Sequence, residues 1–209
     1  MAMDAPVPQS IGWHGKLPSR GDFVGRGMPR AWLRVWDDWL QRGLASAAQR
    51  WGPALREHVL AMAPWQCVVL PQQPGQPVWC GVVAASTDRV GRAYPLLLAE
   101  AYDEASLLGV GLADLQARAL QLWRGLDEAR SAPSPRDFEG RAARLAGTPW
   151  SGTAHDAAPE ASLATLREHW PQAGSFWWRI EPASDLDDPW AEPWPPSHAL
   201  MLALLGQRD

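Results

Sequence analysis

Residues 12–29 read GWHGKLPSRGDFVGRGMP, and this stretch sets how the rest of the chain is arranged. Its glycines are typical of backbone with positive φ or of close approach to a neighbouring segment. Apolar Phe23 and Val24 lie among charged side chains, which is unusual for a flexible linker. We therefore interpret the stretch as an ordered loop between a strand at 11–17 and a helix that begins near Pro29. The five glycines are Gly12, Gly15, Gly21, Gly25 and Gly27.

The segment that follows is the clearest helix in the sequence. Trp32, Trp36, Trp39 and Gly43 recur at helical spacing and predict a helix over 29–49 with one apolar face. A proline suits the first turn of such a helix. The chain contains fourteen tryptophans against three phenylalanines and two tyrosines, so tryptophan must build much of the core. We place Trp36 and Trp39 in that core.

Composition narrows the class of protein. The 209 residues fit one domain over 1–209, with 46% hydrophobic and 20% charged residues and a formal net charge of −4. There is no basic stripe for nucleic acid and no polybasic run for an anionic membrane. No apolar run approaches the roughly 18 residues of a membrane helix, and the first residues lack the pattern of a secretory leader. We expect a cytoplasmic protein with no nucleic-acid partner and no membrane insertion, in which Cys67 and Cys80 are buried free thiols.

The other segments alternate between strand and helix patterns. Because the middle strands are joined by short turns, we predict a three-layer α-β-α fold of the α/β class. Its central sheet is mixed, largely antiparallel, and flanked by helices. Residues 1–10 are predicted to be loose, and the Pro/Trp-rich stretch 181–197 to be irregular, without a strand or helix of its own. The predicted strands are 65–70, 78–85, 93–101 and 175–180, and the further helices are 53–61, 109–129, 135–147, 161–170 and 198–205.

The sequence contains few features of a reaction centre. Gly15-Lys16 resembles the end of a phosphate-binding loop, but the preceding glycine is missing and Leu17 replaces Ser/Thr. The predicted helix also begins about a dozen residues too late to direct its N-terminus at that loop. There is no nucleophile elbow, and the five histidines are scattered without metal-ligand spacing. We expect no catalytic residue, cofactor or metal site; an enzyme that binds a nucleotide or small molecule at residues 15–22 is the alternative.

Two polar turns carry the most informative charges. Arg20 and Asp22 lie in the first loop, and Asp88 and Arg92 lie in the turn between the strands at 78–85 and 93–101. If the strand at 11–17, which leads into the first loop, is a neighbour of these strands, the two turns meet at one end of the sheet. Arginine–carboxylate pairs then fix the loop. We predict that these four residues cluster there. The alternative is that each is an ordinary solvated charge of a turn.

Three blocks of the sequence resemble one family. They are GWHGKLPSRGDFVGRGMPRAW with WDDWL, then STDRVGRAYPLLLAEAY, then GSFWW, and together they span residues 12–178 in order. They resemble the TagF family, accessory proteins of bacterial type VI secretion. The family positions that match, which the resemblance implies are structural or interaction residues, are Gly15, Lys16, Leu17, Pro18, Arg20, Gly21, Asp22, Phe23, Trp36, Asp37, Trp39, Leu40, Asp88, Gly91, Arg92, Pro95 and Leu96.

The resemblance implies a compact α/β domain without established enzymatic activity. It implies a post-translational repressor of type VI secretion that binds the forkhead-associated scaffold protein of the apparatus. A structural accessory subunit of the apparatus is a further alternative. Co-purification with the scaffold, a thermal-shift screen with nucleotides, and fractionation with assembled particles separate these three functions.

Overall fold

The structure, a computed structural model, describes residues 6–150, 161–180, 185–186 and 188–206. Its strands are β1 (Ser10–Gly15), β2 (Val24–Arg26), β3 (Trp65–Val69), β4 (Val78–Thr87), β5 (Ala93–Tyr102), β6 (Ser175–Arg179) and β7 (Trp190–Glu192). They form one seven-stranded sheet in the order β2-β1-β5-β4-β3-β6-β7.

All six pairings in this sheet are antiparallel. The prediction of an α/β fold with a largely antiparallel sheet is confirmed, but none of the described pairings supplies the parallel component of a mixed sheet. The short connections explain this, because a parallel pair needs a crossover of about a dozen residues or more. The β3–β4 and β4–β5 connections are shorter than that.

The helices lie close to their predicted positions. The helix over 29–49 begins one residue later, because Pro29 is its extended N-cap residue. Ser134 caps the helix that starts at Pro135 by accepting a hydrogen bond from the Asp137 amide, as its sequence indicates. The helices are α1 (Arg30–Trp51), α2 (Leu55–Leu60), α3 (Glu104–Leu107), α4 (Leu112–Arg130), α5 (Pro135–Ala146), α6 (Leu163–His169) and α7 (His198–Leu205), with a 3-10 turn at Gly52–Ala54.

A tryptophan cluster fills the core between one face of the sheet and α1, α2 and α7. Trp36 and Trp39 are 0% and 1% exposed, which confirms that both are core residues. The Trp36 ring stacks on Trp177 of β6 with a centroid separation of 6.2 Å. The Trp39 indole Nε1 donates a 3.1 Å hydrogen bond to the Ser197 carbonyl and so connects α1 to the start of α7.

Helices α4, α5 and α6 cover the opposite face of the sheet. Side chains of β4 alternate between the two faces: Cys80 and Val82 face α4, while Trp79 and Val83 face the tryptophan cluster. Cys67 and Cys80 are free and buried, as expected. Burial raises the pKa of the Cys67 thiol to about 12, so this group stays protonated and unreactive.

Three short elements were not predicted from the sequence, namely β2, α3 and β7. The prediction that residues 181–197 contain no strand is wrong, because β7 pairs with β6 at the edge of the sheet. Its Glu192 carboxylate is buried and accepts hydrogen bonds from Trp190 Nε1 and from the Ser197 amide and hydroxyl. A strand of three residues is too short to show a period-2 pattern, and two flanking prolines concealed it.

The prediction that residues 1–10 are loose is wrong for Gln9 and Ser10. Residues 1–5 lie outside the described residues. The Gln9 amide already donates to the Ala101 carbonyl, and β1 begins at Ser10. The end of this stretch is therefore ordered by pairing with β5.

Phenylalanine substitutions in the tryptophan cluster should separate packing from hydrogen bonding. Trp36 Nε1 has no hydrogen-bond partner among the described residues, whereas Trp39 Nε1 is bonded to Ser197. Either Trp→Ala substitution should lower the free energy of unfolding by about 3–5 kcal/mol. Trp39→Phe should cost about 1 kcal/mol more than Trp36→Phe, because only the former removes a hydrogen bond. Urea denaturation of the four variants measures this, and equal losses for the two phenylalanine variants would contradict it.

Candidate functional site

Two loops meet at one end of the sheet. Residues 16–23 connect β1 to β2, and residues 88–92 connect β4 to β5. Because β1 lies antiparallel beside β5, the end of β1 and the beginning of β5 are at the same end of the sheet. The Arg89 amide donates a 2.8 Å hydrogen bond to the Arg20 carbonyl, which joins the two loops through their backbones.

The Asp88 carboxylate is the centre of this contact, and its side chain is fully buried. Oδ2 accepts hydrogen bonds from Lys16 Nζ at 2.9 Å and Arg92 Nε at 2.6 Å. Oδ1 accepts from the backbone amides of Val90 at 3.0 Å and Arg92 at 2.9 Å. Arg92 Nη2 donates to the Gly21 carbonyl at 2.7 Å. We call Lys16, Gly21, Asp88 and Arg92 the loop junction.

The charge state of the loop junction follows from these contacts. Burial raises the pKa of Asp88, but the hydrogen bonds from Lys16, from Arg92 and from the backbone outweigh burial and hold this pKa well below its usual range. The side chain is therefore a carboxylate at neutral pH. Lys16 is itself buried beside it, so both charged groups are used in a structural pair.

The structure confirms that the two turns meet, but the side chains that pair between them differ from those predicted. Asp88 and Arg92 do cluster there, and Lys16 supplies the cation that crosses between the loops. Arg20 takes part through its carbonyl while its side chain is exposed. The prediction for Asp22 is wrong: this carboxylate is exposed and makes no hydrogen bond or ion pair with a described residue. Lys16 directly follows β1 beneath the turn, whereas Asp22 lies on its solvent side.

Close backbone packing at the loop junction explains two of the glycines and Pro95. Gly15 has φ +148°, and a Cβ there would lie 2.7 Å from the Pro95 carbonyl oxygen. Gly91 closes the second turn with φ +82°. Gly21 has neither a positive φ nor a close neighbour, so that part of the prediction is wrong. Pro95 precedes the pairing of β5 with β1, which begins at Leu97, so β1 does not pair with β5 at this position and the missing N–H of proline costs no hydrogen bond.

An aromatic group covers the outer side of the loop junction. Phe23 packs edge-on against Tyr94 at 4.7 Å, lies parallel to the His14 ring at 6.1 Å, and has Lys16 Nζ 5.1 Å from its centroid. His14 also bonds through Nε2 to Asp37 Oδ1 at 2.8 Å, which connects β1 to α1. Sequence reasoning singled out Phe23 and Asp37 but missed His14 and Tyr94, because no spacing in the sequence links these four positions.

The remaining matched residues have packing roles. Leu17, Trp39, Leu40 and Leu96 are buried, and Pro18 is exposed at the start of the first loop. Leu17 and Leu96 pack in the core on the α4 side of the sheet, Trp39 and Leu40 belong to the tryptophan cluster, and none of these side chains presents a reactive group.

A second buried ion pair, between Arg118 and Glu100, was not predicted from the sequence. Arg118 of α4 donates from Nη2 to Glu100 Oε1 at 2.5 Å and from Nε to Glu100 Oε2 at 2.9 Å. The Tyr102 hydroxyl donates to the same carboxylate. Burial lowers the pKa of Arg118, but the contact with Glu100 outweighs it and raises that pKa. The available signal was a lone glutamate in the apolar run AYPLLLAEAY and an arginine on the apolar face of α4.

Across residues 6–150, 161–180 and the described part of the C-terminal segment, no three His, Cys, Asp or Glu side chains are grouped as metal ligands would be. Within the same residues, no helix combines the length and the apolarity needed to cross a membrane.

These features define a class: an α/β domain with one antiparallel sheet and two polar loops joined by a buried ion pair at one end of its strands. The chain belongs to the TagF family, since the family model of the TagF N-terminal domain, type VI secretion system-associated, matches residues 12–142. This range includes both loops. The late aromatic block GSFWW lies beyond it.

A solved structure extends the similarity beyond that range. The crystal structure of PA0076 from Pseudomonas aeruginosa PAO1, at 2.05 Å resolution, is 30% identical in sequence with a TM-score of 0.60. The match covers 81% of this chain and 81% of that chain. A search of curated proteins found no match.

The depressed pKa of Asp88 predicts how stability depends on pH. A carboxylate whose pKa is lower in the folded state contributes stability above its unfolded pKa of about 3.9, and this is lost as pH falls through the folded value. We expect Asp88→Asn to be less stable than wild type at pH 7 but to lose less stability between about pH 5 and pH 2. Urea denaturation as a function of pH measures both.

Asp22→Asn is the matched control, because this carboxylate lies in the first loop but is exposed. Its stability should follow the wild-type pH curve. A curve for Asp88→Asn that runs parallel to wild type would contradict the prediction.

Proposed function

We propose that this protein is a non-enzymatic, cytoplasmic regulator that represses type VI secretion after translation by binding the forkhead-associated scaffold protein. Membership of the TagF family supports the connection with type VI secretion. The observation that carries the proposal is the pairing of Lys16 with Asp88, which uses the charged groups of the motif to hold two loops together.

This pairing weighs against an enzyme that binds phosphate at residues 15–22. Lys16 Nζ is buried and 2.9 Å from a carboxylate, so an incoming phosphate would have to displace Asp88 and then repel it. The second turn is occupied in the same way, since its Val90 and Arg92 amides bind Asp88 Oδ1. The loops are built to keep one shape, which favours a role in recognition.

The outer side of these ordered loops presents groups suited to a protein partner. Phe23 is 50% exposed and Val90 is 67% exposed, although both belong to loops fixed from below. The side chains of Arg20 and Arg89 are exposed beside them. A surface that is already ordered loses little conformational entropy on binding, which favours affinity. Function is often carried by loops held on a rigid scaffold.

A regulator of this kind acts by occupying its partner and needs no turnover. Repression should therefore rise with the amount of the chain relative to the scaffold and saturate when the scaffold is fully bound. Transcript levels of the secretion genes should be unaffected, because repression acts on the scaffold protein after it has been translated.

The test uses the full chain and its bacterium of origin. Tagged chain should retain the scaffold protein on purification, and deletion of its gene should raise secretion of a substrate of the apparatus without changing transcript levels. Complementation at graded expression levels should lower secretion in proportion. Failure to retain the scaffold together with unchanged secretion would overturn the proposal. A nucleotide that raises the melting temperature would instead support the enzymatic alternative.

A further inference from the structure

We propose that the surface formed by the two loops binds a carboxylate-rich segment of the scaffold protein, with an apolar side chain of that segment against Phe23 and Val90. This inference rests on the proposed function and names its contact surface. The surface consists of Arg20, Phe23, Arg89 and Val90, and we call it the loop face.

The first observation is charge. Residues 16–26 and 88–92 hold five basic and two acidic side chains, a net charge of +3 in a chain whose net charge is −4. One of the two acids, Asp88, is buried and already paired. The positive charge is thus concentrated in two loops that the structure brings together, although the net charge of the whole chain is negative. Concentrated charge of one sign steers partners of the opposite sign.

The second observation is which charges are free. Lys16 and Arg92 are both paired with Asp88 in the loop junction, and Arg26 is paired with Glu139 at 2.8 Å. The side chains of Arg20 and Arg89 make no hydrogen bond or ion pair with a described residue and are exposed. Their backbones are joined, because the Arg89 amide donates to the Arg20 carbonyl. Two free guanidinium groups on joined loops suit carboxylates.

The third observation distinguishes carboxylates from phosphates. Phosphate sites in loops usually employ backbone amides as well as cations. In the 88–92 turn the amides of Arg89, Val90 and Arg92 already bind Arg20 O and Asp88 Oδ1. Asp22 also lies exposed within the first loop, where it would repel a dianion. Single negative charges spread along a peptide fit this surface better.

A shallow groove continues from the loop face and could hold the extended carboxylate-rich segment of the partner. It runs between β2 and the start of α5 and is lined by Arg20, Phe23, Arg26, Arg136 and Glu139. Arg136 is exposed and makes no ion pair with a described residue. The groove therefore adds another free cation beside the half-exposed ring of Phe23.

The test compares charge reversals in the full chain by titration against the purified scaffold protein. Arg89→Glu should weaken binding about tenfold or more, and the double variant with Arg20→Glu further. Arg124→Glu is the matched control: it makes the same change of charge at an exposed position of α4, and it should bind like wild type. All variants should keep the wild-type melting temperature, because the altered side chains have no partner among the described residues.

Salt and phosphatase provide the second readout. Raising NaCl from about 0.1 to 0.5 M should weaken wild-type binding much more than binding of the double variant. Treating the scaffold with phosphatase should leave the affinity unchanged, and a loss of binding would overturn the assignment to carboxylates. Wild-type affinity in Arg89→Glu and in the double variant would overturn this inference while leaving the proposed function intact. No binding by the wild-type chain would overturn both.

Discussion

The structure depends on one buried ion pair, between Lys16 and Asp88, which are 72 positions apart in the chain. Removing a charged group from water is costly, and the cost is recovered only when its hydrogen bonds are satisfied. Asp88 meets this requirement with four hydrogen bonds, and three of them come from its own turn. The fourth, from Lys16, is the one that fixes the position of the other loop. A pair of this kind specifies a geometry more than it adds stability.

The rest of the fold places these two residues within reach. The sheet order sets β1 beside β5, so the first loop emerges next to the 88–92 turn. The tryptophan cluster holds α1 against the sheet, and the His14–Asp37 contact connects that helix to β1 just before the loop begins. On the other face, Glu100 and Arg118 hold α4 to β5. Core packing thus positions the loops, and the ion pair fixes their shape.

Sequence reasoning succeeded where a local pattern decides the structure. The tryptophan spacing gave α1, Ser134-Pro135 gave the start of α5, and the run at 198–205 gave α7. It failed for ion pairs between residues that are distant in the sequence and meet only in the folded chain. Nothing in the spacing shows that Lys16, and not Arg20, reaches Asp88, because the choice depends on which side chain lies under the turn. The same holds for Glu100 with Arg118, whereas β7 was missed because a strand of three residues shows no period-2 pattern.

Three charged residues of the family motif, Lys16, Asp88 and Arg92, hold together the loops that carry the proposed binding surface. Hydrogen exchange in Lys16→Met tests this most directly, because the change is made in one loop and measured in the other. We expect the Arg89 amide, bonded to the Arg20 carbonyl, to lose about tenfold or more of its protection. Amides of β6, which β3 separates from β4, should keep theirs. Unchanged protection of the Arg89 amide in this variant would contradict the central claim that the ion pair joins the two loops.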